Sequence, residues 1–348
     1  MIIIRVQIDL LKDNLIHNIK VIKEKCNKDI IAVVKDNAYS HGSREIVTML
    51  KEENVKYFAV ATLNEAIEIR DIAENILLFE TLNIEEVKTA YNFDLVLSLT
   101  SEEYIDRLIE LDLPIRCHLK IDTGMNRYGI ETTEVERIVK KVKRSSLKLE
   151  GIYTHFAGEV KDDMQREYDI FENSIKNIDR RNLMIHTQKS NAVFEIEDNI
   201  STHCRVGLCL YGISNIKEHR NYLKPVMKVY AYPTRIKKVK KGETLGYNHN
   251  YIVEEDGYAV TIDYGYGDGL LTKDEIVYML NGRIREHNRC VLCMDSMILY
   301  LDKEVSKKDE FVFLNEIISM NYFRDKYGYR ACELSTKLNK RIKKNIRN

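Results

Sequence analysis

The sequence predicts an α/β protein that consists of a closed (β/α)8 barrel of the TIM type followed by a mostly-β domain. Short β-rich apolar runs alternate with amphipathic helical stretches from residue 11 to about residue 212, which is typical of repeated parallel βα units. After about residue 225, β-rich runs separated by glycines and charged turns replace this pattern. We therefore expect a barrel at residues 9–224 and a β domain at residues 225–348. An N-terminal strand at residues 1–8 is expected to belong to the β domain.

Eight β-rich runs lie in the first part of the chain, which is the number that a closed barrel requires. They are residues 30–34, 57–61, 76–79, 95–99, 115–121, 151–154, 183–185 and 204–208. Helical stretches such as 11–25 and 135–143 separate them. An open doubly wound sheet is the alternative arrangement of the same units. In the β domain we predict strands at 228–236, 258–262, 276–279 and 297–300 and short helices near 317–327 and 333–344.

The charge balance indicates which kind of partner the protein binds, and the cysteine content indicates in which cell compartment it works. The 54 Lys and Arg residues balance 54 Asp and Glu residues, so no net field favours nucleic acid or an anionic membrane, and we expect a small-molecule partner. Arg5, Gln7 and Asp9 interrupt the apolar opening too early for a signal peptide or a spanning helix. Seven cysteines, an odd number, indicate a reducing, cytoplasmic location.

Two further features favour a structural interpretation. Cys290 and Cys293 form a CxxC pair, but no second pair or histidine set in the sequence completes a zinc site, so we predict no metal. The basic stretch 337–348 is expected to be a solvated helix end rather than a binding tail, because the chain as a whole is neutral.

Several polar residues follow the predicted barrel strands, at the end where barrel active sites are built. Lys35 ends the first strand among apolar residues, where its amine can be desolvated toward the neutral form that makes Schiff bases. A solvent-facing lysine is the alternative. Lys120, Asp122 and Arg127 follow the fifth strand, and Arg127 can either grip a carboxylate or form a rim salt bridge. His155 ends the sixth strand and by itself is typical of a structural histidine.

The seventh and eighth units fit phosphate binding, because barrels often hold phosphate with the loops after these strands. Ser190 follows the seventh strand, and Arg205, Gly207 and Leu208 lie in the eighth, where the glycine allows close backbone approach. In the β domain, the segment DYGYGDGLL surrounds Tyr266 with glycines, and CMDSM follows it. Taken alone, this tyrosine is typical of an ordinary hairpin aromatic.

Six segments, VVKDNAYSHG, KIDTGMNRYGI, THFA, CRVGLCLYG, GYGDG and CMD, occur in this order. Together they resemble the motifs of the alanine racemase family, including its serine-racemising, vancomycin-resistance-type branch, over nearly the whole chain. The resemblance implies a fold-type III enzyme that binds pyridoxal 5'-phosphate and racemises a small amino acid, as in D-alanine supply for peptidoglycan precursors. It also implies a homodimer in which each active site takes a tyrosine from the other subunit.

The resemblance also implies a role for each matching position. Lys35 carries the cofactor, and Lys35 and Tyr266 are the two catalytic bases, which act on the Cα proton of the D and the L enantiomer respectively. Arg205 faces the pyridine nitrogen and, because an arginine keeps its proton, leaves that nitrogen unprotonated. Lys120 matches a position that is often carbamylated in the family to brace Arg127. The resemblance implies cofactor contacts from Lys35, Tyr39, Arg127, His155, Ser190, Arg205, Gly207 and Leu208, and substrate contacts from Arg127 and the Met294 backbone.

The sequence departs from the family pattern at three places, two of which bear on the substrate. Ser40 stands where glycine is usual, HTQKSNA replaces the common phosphate segment, and Asn339 and Lys340 fall near a site where many alanine racemases have a tyrosine. The last two departures resemble the serine-racemising branch, so L-serine is an alternative substrate.

Two further classes of protein share this barrel. One is a non-catalytic or degenerate barrel that binds pyridoxal phosphate, and the other is a related decarboxylase. Non-catalytic carriers lack the β domain and the GYGDG tyrosine, both of which the sequence predicts here. The decarboxylases usually hold phosphate with a glycine-triplet loop, and the sequence has none. Both features favour a racemase.

Overall fold

The structure, a computed structural model, describes residues 5–271 and 275–348, and the chain divides into two compact units. One unit comprises Ile16–Ala38 and Ser43–Leu223. The other comprises Met1–Leu15, Tyr39–Gly42 and Lys224–Asn348. The predicted strand at residues 1–8 falls partly outside the described residues, and the strand found in this region, β1, is Gln7–Leu11.

The first unit contains an eight-stranded parallel sheet that nearly closes into a barrel. Its strands are β2 (Asp29–Val33), β3 (Tyr57–Val60), β4 (Asn75–Leu78), β5 (Val96–Leu99), β6 (Arg116–Lys120), β7 (Lys148–Tyr153), β8 (Met184–His186) and β9 (His203–Val206). Their order is β8-β7-β6-β5-β4-β3-β2-β9. The Arg205 N–H donates to the Gln188 carbonyl at 2.9 Å, which links β9 to the chain just after β8. The barrel prediction is confirmed, and the doubly wound alternative is wrong.

Helices alternate with the barrel strands, and several of them carry an apolar stripe or a capping side chain. The helices are Lys12–Cys26, Ser43–Glu52, Leu63–Ile69, Ile84–Asn92, Glu102–Glu110, Val135–Lys143, Lys161–Ser174 and Ala192–Glu195. In Val135–Lys143, Ile138 and Val142 are buried one turn apart while the basic residues face outward. Side chains of Thr62 and Asn83 cap the helices that follow them by accepting a backbone N–H, which sets where these helices begin.

The second unit consists mainly of β-strands in two larger sheets. Besides β1 its strands are β10 (Met227–Ala231), β11 (Pro233–Val239), β12 (Thr244–Leu245), β13 (Tyr251–Ile252), β14 (Gly257–Ile262), β15 (Ile276–Leu280), β16 (Arg283–His287), β17 (Cys290–Leu292), β18 (Met297–Leu301), β19 (Phe311–Leu314) and β20 (Lys343–Arg347). The sheet orders are β16-β15-β19-β10-β1-β20 and β11-β14-β18-β17. The run predicted at 228–236 is therefore two strands, in different sheets. Two helices, Met320–Tyr327 and Ala331–Ser335, complete the unit.

The predictions of a helix at 333–344 and of a helix end at 337–348 are wrong. Only Ala331–Ser335 is helical, and β20 pairs in parallel with β1, from Gln7 opposite Lys343 to Leu11 opposite Arg347. Pairing with a strand from the other end of the chain overrides the local preference of this basic sequence.

The described part of the chain contains all seven cysteines, and each is a free thiol. Within the same residues, no group of three or more His, Cys, Asp or Glu side chains is arranged to hold a metal ion. No helix of residues 5–271 and 275–348 combines the length and the apolar character needed to cross a membrane.

Candidate active site

Lys35 leaves the barrel just beyond the carboxyl end of β2. Strand β2 pairs with β9 in a register that places Ala32 opposite Val206. Lys35 follows β2, and Gly207 and Leu208 follow its neighbour β9. The three residues therefore lie at the same end of the barrel. This is the end at which barrel enzymes carry their active sites.

A strained backbone turn follows Lys35. Residues 36–40 all have positive φ, from 51° to 67°, although none of them is glycine, and L-residues rarely adopt this conformation. The Asp36 N–H donates to the Glu65 carboxylate at 2.6 Å, and the Ala38 N–H donates to the Val34 carbonyl at 2.9 Å. Such strain persists only where the surrounding structure holds it, and these two hydrogen bonds hold the first part of the turn, Asp36 to Ala38, within the barrel unit.

Tyr39 continues the left-handed turn and begins the segment Tyr39–Gly42 of the other unit. Its side chain is buried, and its carbonyl accepts a hydrogen bond from His41 Nδ1 at 2.8 Å. Ser40 has φ 67°, a conformation that glycine adopts without strain.

Arg205, on β9, is a buried cation inside the barrel unit. Its Nη1 donates to His186 Nδ1 at 2.8 Å, and its Nη2 donates to the Thr154 carbonyl at 2.7 Å and to His155 Nδ1 at 3.0 Å. The guanidinium carbon lies 5.0 Å from the centre of the Tyr153 ring, within the range of a cation–π contact. Burial lowers the pKa of Arg205 to about 10, so the side chain stays charged at neutral pH.

The hydrogen bonds of Arg205 determine the tautomers of three histidines. Because arginine only donates, His186 and His155 accept at Nδ1 and, as neutral rings, carry their proton on Nε2. His186 Nε2 lies 2.9 Å from His118 Nδ1 and donates to it, so His118 also has its proton on Nε2. Burial holds the pKa of His118 at about 3 and the pKa values of His155 and His186 well below the usual range. All three rings are therefore neutral at pH 7.

Lys120 ends β6 as a buried amine. It donates a hydrogen bond to the Tyr128 carbonyl. Burial lowers the pKa of Lys120 to about 8, an effect that Asp122 opposes and to which the charges of Arg127 and Arg205 add. Arg127 itself is exposed in the loop after β6, close enough for its charge to act on this lysine.

Ser190 and Gly207 meet where the chain leaves β8 and β9. The Gly207 N–H donates to Ser190 Oγ at 3.1 Å, and the Cys209 N–H approaches the same oxygen at 3.5 Å. Gly207 directly precedes the short 3-10 helix Leu208–Tyr211. The structure thus gathers a hydroxyl and the backbone N–H groups around it, which are donors of the kind that phosphate oxygens accept from.

Tyr266 and Met294 belong to the other unit, where they lie on adjacent segments. Tyr266 begins the 3-10 helix Tyr266–Asp268, and its N–H donates to the Cys293 carbonyl at 3.2 Å. The N–H of Gly267 donates to the Met294 carbonyl at 2.8 Å. The Tyr266 and Met294 side chains are 54% and 57% exposed in the single chain, so both are available to a partner.

His118, His186 and Tyr153 complete the cluster around Arg205, although no motif in the sequence indicated a role for them. The Tyr153 hydroxyl donates to Ser98 Oγ at 2.8 Å, and its ring stacks on His186 at a centroid distance of 4.7 Å. Strand alternation was the available signal, because His118 and Lys120 are two residues apart on β6 and face the same side.

Known proteins resemble the chain along its whole length. Family models described as "Alanine racemase, N-terminal domain" and "Alanine racemase, C-terminal domain" match residues 10–215 and 226–346. The alanine racemase of Fusobacterium nucleatum is 30% identical over 334 residues, which are 91% of this chain and 93% of that relative. Alanine racemase of Clostridium difficile 630 superposes with a TM-score of 0.88 at 25% identity, covering 100% of this chain and 97% of that one. The alanine racemase from Bacillus anthracis with bound L-Ala-P gives 0.87 at 26% identity, covering 100% and 96%.

The fold and the cluster at the carboxyl ends of the strands define a barrel enzyme that acts on a small molecule. The two family models together span most of the chain. The chain belongs to the alanine racemase family. Enzymes of this family are isomerases that use pyridoxal 5'-phosphate, and the family resemblance of the six sequence motifs is thereby confirmed.

Proposed function

We propose that the chain interconverts L- and D-alanine with pyridoxal 5'-phosphate as cofactor. The buried Arg205 guanidinium is the observation that carries the proposal. Its charge survives at neutral pH, yet its hydrogen bonds within the described residues go to histidine ring nitrogens and backbone carbonyls rather than to a carboxylate. A buried charge without a counter-ion is costly. Its retention is explained if the guanidinium faces an acceptor on a bound group, such as a pyridine nitrogen.

The donor set of the barrel fits pyridoxal 5'-phosphate. The Lys35 amine would bind the cofactor covalently, and Arg205 would donate to its ring nitrogen. Arg127 and His155 would contact the ring region. When bound, the cofactor withdraws electrons from the substrate Cα and so makes its proton acidic enough to remove. The phosphate would be held by the Ser190 hydroxyl, the backbone N–H groups of Gly207 and Leu208, and the Tyr39 hydroxyl.

Racemisation requires a proton to leave one face of Cα and another to arrive on the opposite face. Lys35 would serve the face of the D enantiomer, and Tyr266 of a second copy of the chain would serve the face of the L enantiomer. Arg127 and the Met294 backbone N–H would hold the substrate carboxylate. This assignment makes the active enzyme a homodimer with shared sites, which is supported by the exposure of both Tyr266 and Met294 in the single chain.

Alanine is the proposed substrate because the three similar proteins compared with this chain above are all alanine racemases. They lend no specific support to L-serine, to decarboxylation or to a non-catalytic barrel.

We also propose that residues 9–224 form the cofactor-binding domain, that residues 225–348 with the strand at 1–8 form the β domain, and that the protein works in the cytoplasm. The seven free thiols support this location. The pKa of Lys120 near 8 supports its carbamylation, which needs the neutral amine.

Three measurements test the proposal. The purified protein with pyridoxal phosphate should form D-alanine from L-alanine faster than D-serine from L-serine, and borohydride reduction followed by peptide mapping should find the pyridoxyl label on Lys35. A label on another lysine would refute the assignment. Mixing Lys35→Ala chains with Tyr266→Phe chains should restore part of the activity, because one hybrid site then has both residues. No recovery despite proven subunit exchange would argue against shared sites.

A further inference from the structure

The turn that carries Tyr266 is held by a segment near the carboxyl end of the chain. This segment, residues 337–341, is here named the C-terminal clasp. The Asn339 N–H donates to the Asp268 carbonyl at 3.0 Å, and the Asn339 side-chain amide donates to the Gly267 carbonyl at 3.2 Å. Arg341 Nε donates to the Asp268 carboxylate at 2.7 Å. Three hydrogen bonds therefore join the clasp to the two residues that follow Tyr266.

Asp268 is the centre of this arrangement because its side chain is almost completely buried, at 1% exposure. One carboxylate oxygen accepts the Gly265 N–H at 3.0 Å, which closes the turn around Tyr266. Arg341 and Arg5 supply the positive charge, the latter at 3.2 Å. A buried carboxylate that loses a charged partner bears a desolvation cost, so the shape of the turn depends on the arginines.

Arg341 also reaches the segment that carries Met294. Its Nη2 lies 2.8 Å from the carboxylate of Asp295, the residue after Met294. One guanidinium thus connects the clasp, the Tyr266 turn and the Met294 segment, which hold the two residues proposed to act in the active site of a second copy.

Backbone packs directly on backbone at the turn. A Cβ atom on Gly269, which has φ 87°, would lie 1.9 Å from the Lys337 carbonyl oxygen. A Cβ atom on Gly265 would lie 2.4 Å from the Met294 carbonyl oxygen. The turn therefore has little room to shift relative to the clasp or to the Met294 segment.

We propose that the C-terminal clasp, acting chiefly through Arg341 on Asp268, is a positioning device that aims the Tyr266 hydroxyl for proton transfer. This inference rests on the proposed role of Tyr266. Tyr266 is 54% exposed in the single chain, so within that chain the backbone turn fixes the point from which the phenol extends. A proton carrier misplaced by about 1 Å can lose on the order of 10²-fold in rate. Arg341 and Asn339 are thus positioning residues, whereas Tyr266 is the catalytic one.

Arg341→Gln tests the proposal, and Arg347→Gln is the matched control because Arg347 is an exposed arginine that pairs with Asp9 on β1. In the holoenzyme, Arg341→Gln should lower kcat by roughly 10²-fold with little change in KM, whereas the control should leave kcat within about twofold of the parent. Hydrogen–deuterium exchange of the peptide that contains Tyr266 should become faster only in Arg341→Gln. Arg341→Lys should recover part of the rate, since one charged donor remains. Should Arg341→Gln fail to fold, Asn339→Ala removes the two side-chain hydrogen bonds of Asn339, one donated to the Gly267 carbonyl and one accepted from the Arg341 N–H, and should show the same pattern more weakly.

Combination with Tyr266→Phe separates this proposal from the proposed function. If Arg341 acts through Tyr266, adding Arg341→Gln to Tyr266→Phe should cause little further loss. A double variant whose loss of kcat is the product of the two single losses would overturn the clasp proposal while leaving the two-base function intact. So would an unchanged rate of hydrogen–deuterium exchange in the Tyr266 peptide of Arg341→Gln and Asn339→Ala. A Tyr266→Phe enzyme with unchanged kcat would instead refute the function proposed for Tyr266, and the clasp proposal with it.

Discussion

At the scale of single residues, the turn after Lys35 stores backbone strain beside the proposed cofactor lysine. Five successive non-glycine residues have positive φ, and each such residue costs roughly 1–2 kcal/mol. Ala38 lies in the middle of this turn with φ 52° and a fully buried side chain. Glycine would adopt the same conformation without the steric cost.

Ala38→Gly should therefore be tolerated far better than an alanine-to-glycine change in a helix. Ala66, equally buried in the helix Leu63–Ile69, provides the matched control, where glycine costs about 1 kcal/mol. We expect Ala38→Gly to leave the free energy of unfolding unchanged or to raise it by up to about 1 kcal/mol, while Ala66→Gly lowers it. Urea denaturation of both variants measures the difference, and equal losses would show that the turn carries no strain.

The sequence pointed to the residues that sit in recognisable motifs, but not to their polar support. Lys35 and Arg205 were predicted because their segments resemble family motifs, whereas His118 lies outside the six motifs and His186 begins the segment HTQKSNA, which departs from the family pattern. Their importance arises from a hydrogen-bonded row across three strands, from Arg205 to His186 to His118. Contacts between strands far apart in sequence are invisible to local patterns, so this row needed the structure.

At the scale of elements, the barrel strands were predictable and the final strand was not. Strands such as β2, β3 and β4 are short apolar runs, and helices with an apolar stripe or a capping side chain follow several of the barrel strands, so these local signals agree with the fold. Strand β20 is basic, and its stability comes from β1, more than 300 positions earlier in the chain. The Asp9 carboxylate accepts hydrogen bonds from Asn345 and Arg347 at 3.2 Å and 3.1 Å, which offsets the positive charge of the strand.

Removal of residues 343–348 should destabilise the β unit, because β1 then becomes an edge strand and Asp9 loses two partners. We expect a loss of about 2–4 kcal/mol, the sum of several hydrogen bonds of about 1 kcal/mol each. Arg347→Ala alone should cost less than about 1 kcal/mol, since exposed ion pairs contribute little. The midpoint of urea denaturation tests both variants; a truncated protein as stable as the parent would show that the pairing of β20 contributes nothing.

At the scale of the whole molecule, the buried neutral histidines couple folding to pH. The folded pKa values of His118, His155 and His186 are lowered by burial, so between the folded and the unfolded pKa the unfolded chain binds more protons. Stability is then complete above the unfolded value of about 6.5 and falls as the pH drops. For His118 the window extends from about 6.5 down to about 3.

The denaturation midpoint should therefore fall steeply between pH 7 and pH 5. Each of these histidines contributes a slope of up to roughly 1.4 kcal/mol per pH unit. His118→Gln should flatten the profile relative to the parent protein, because one buried neutral histidine is then removed. Urea titrations at intervals of half a pH unit measure these slopes, and an unaltered slope in His118→Gln would mean that this histidine is not a source of the acid sensitivity.

The proposed function requires Lys35 and Tyr266 to serve opposite faces of Cα, because racemisation removes a proton from one face and delivers one to the other. Tyr266→Phe removes the proton carrier on one face only, at a cost of roughly 10²–10⁴ in rate. Because the two enantiomers have equal energy, the steady-state rates of the two directions must fall together. The asymmetry has to be sought in isotope exchange instead.

The most direct measurement is washout of the Cα proton into deuterated solvent by the Tyr266→Phe holoenzyme, followed separately for D-alanine and L-alanine by NMR. On the proposed assignment Lys35 still serves the D enantiomer in this variant, so the proton of D-alanine should continue to exchange while that of L-alanine exchanges much more slowly. The parent enzyme, measured in parallel, should exchange both. Equal exchange from the two enantiomers in Tyr266→Phe would show that a single base or water serves both faces, and would contradict the two-base account.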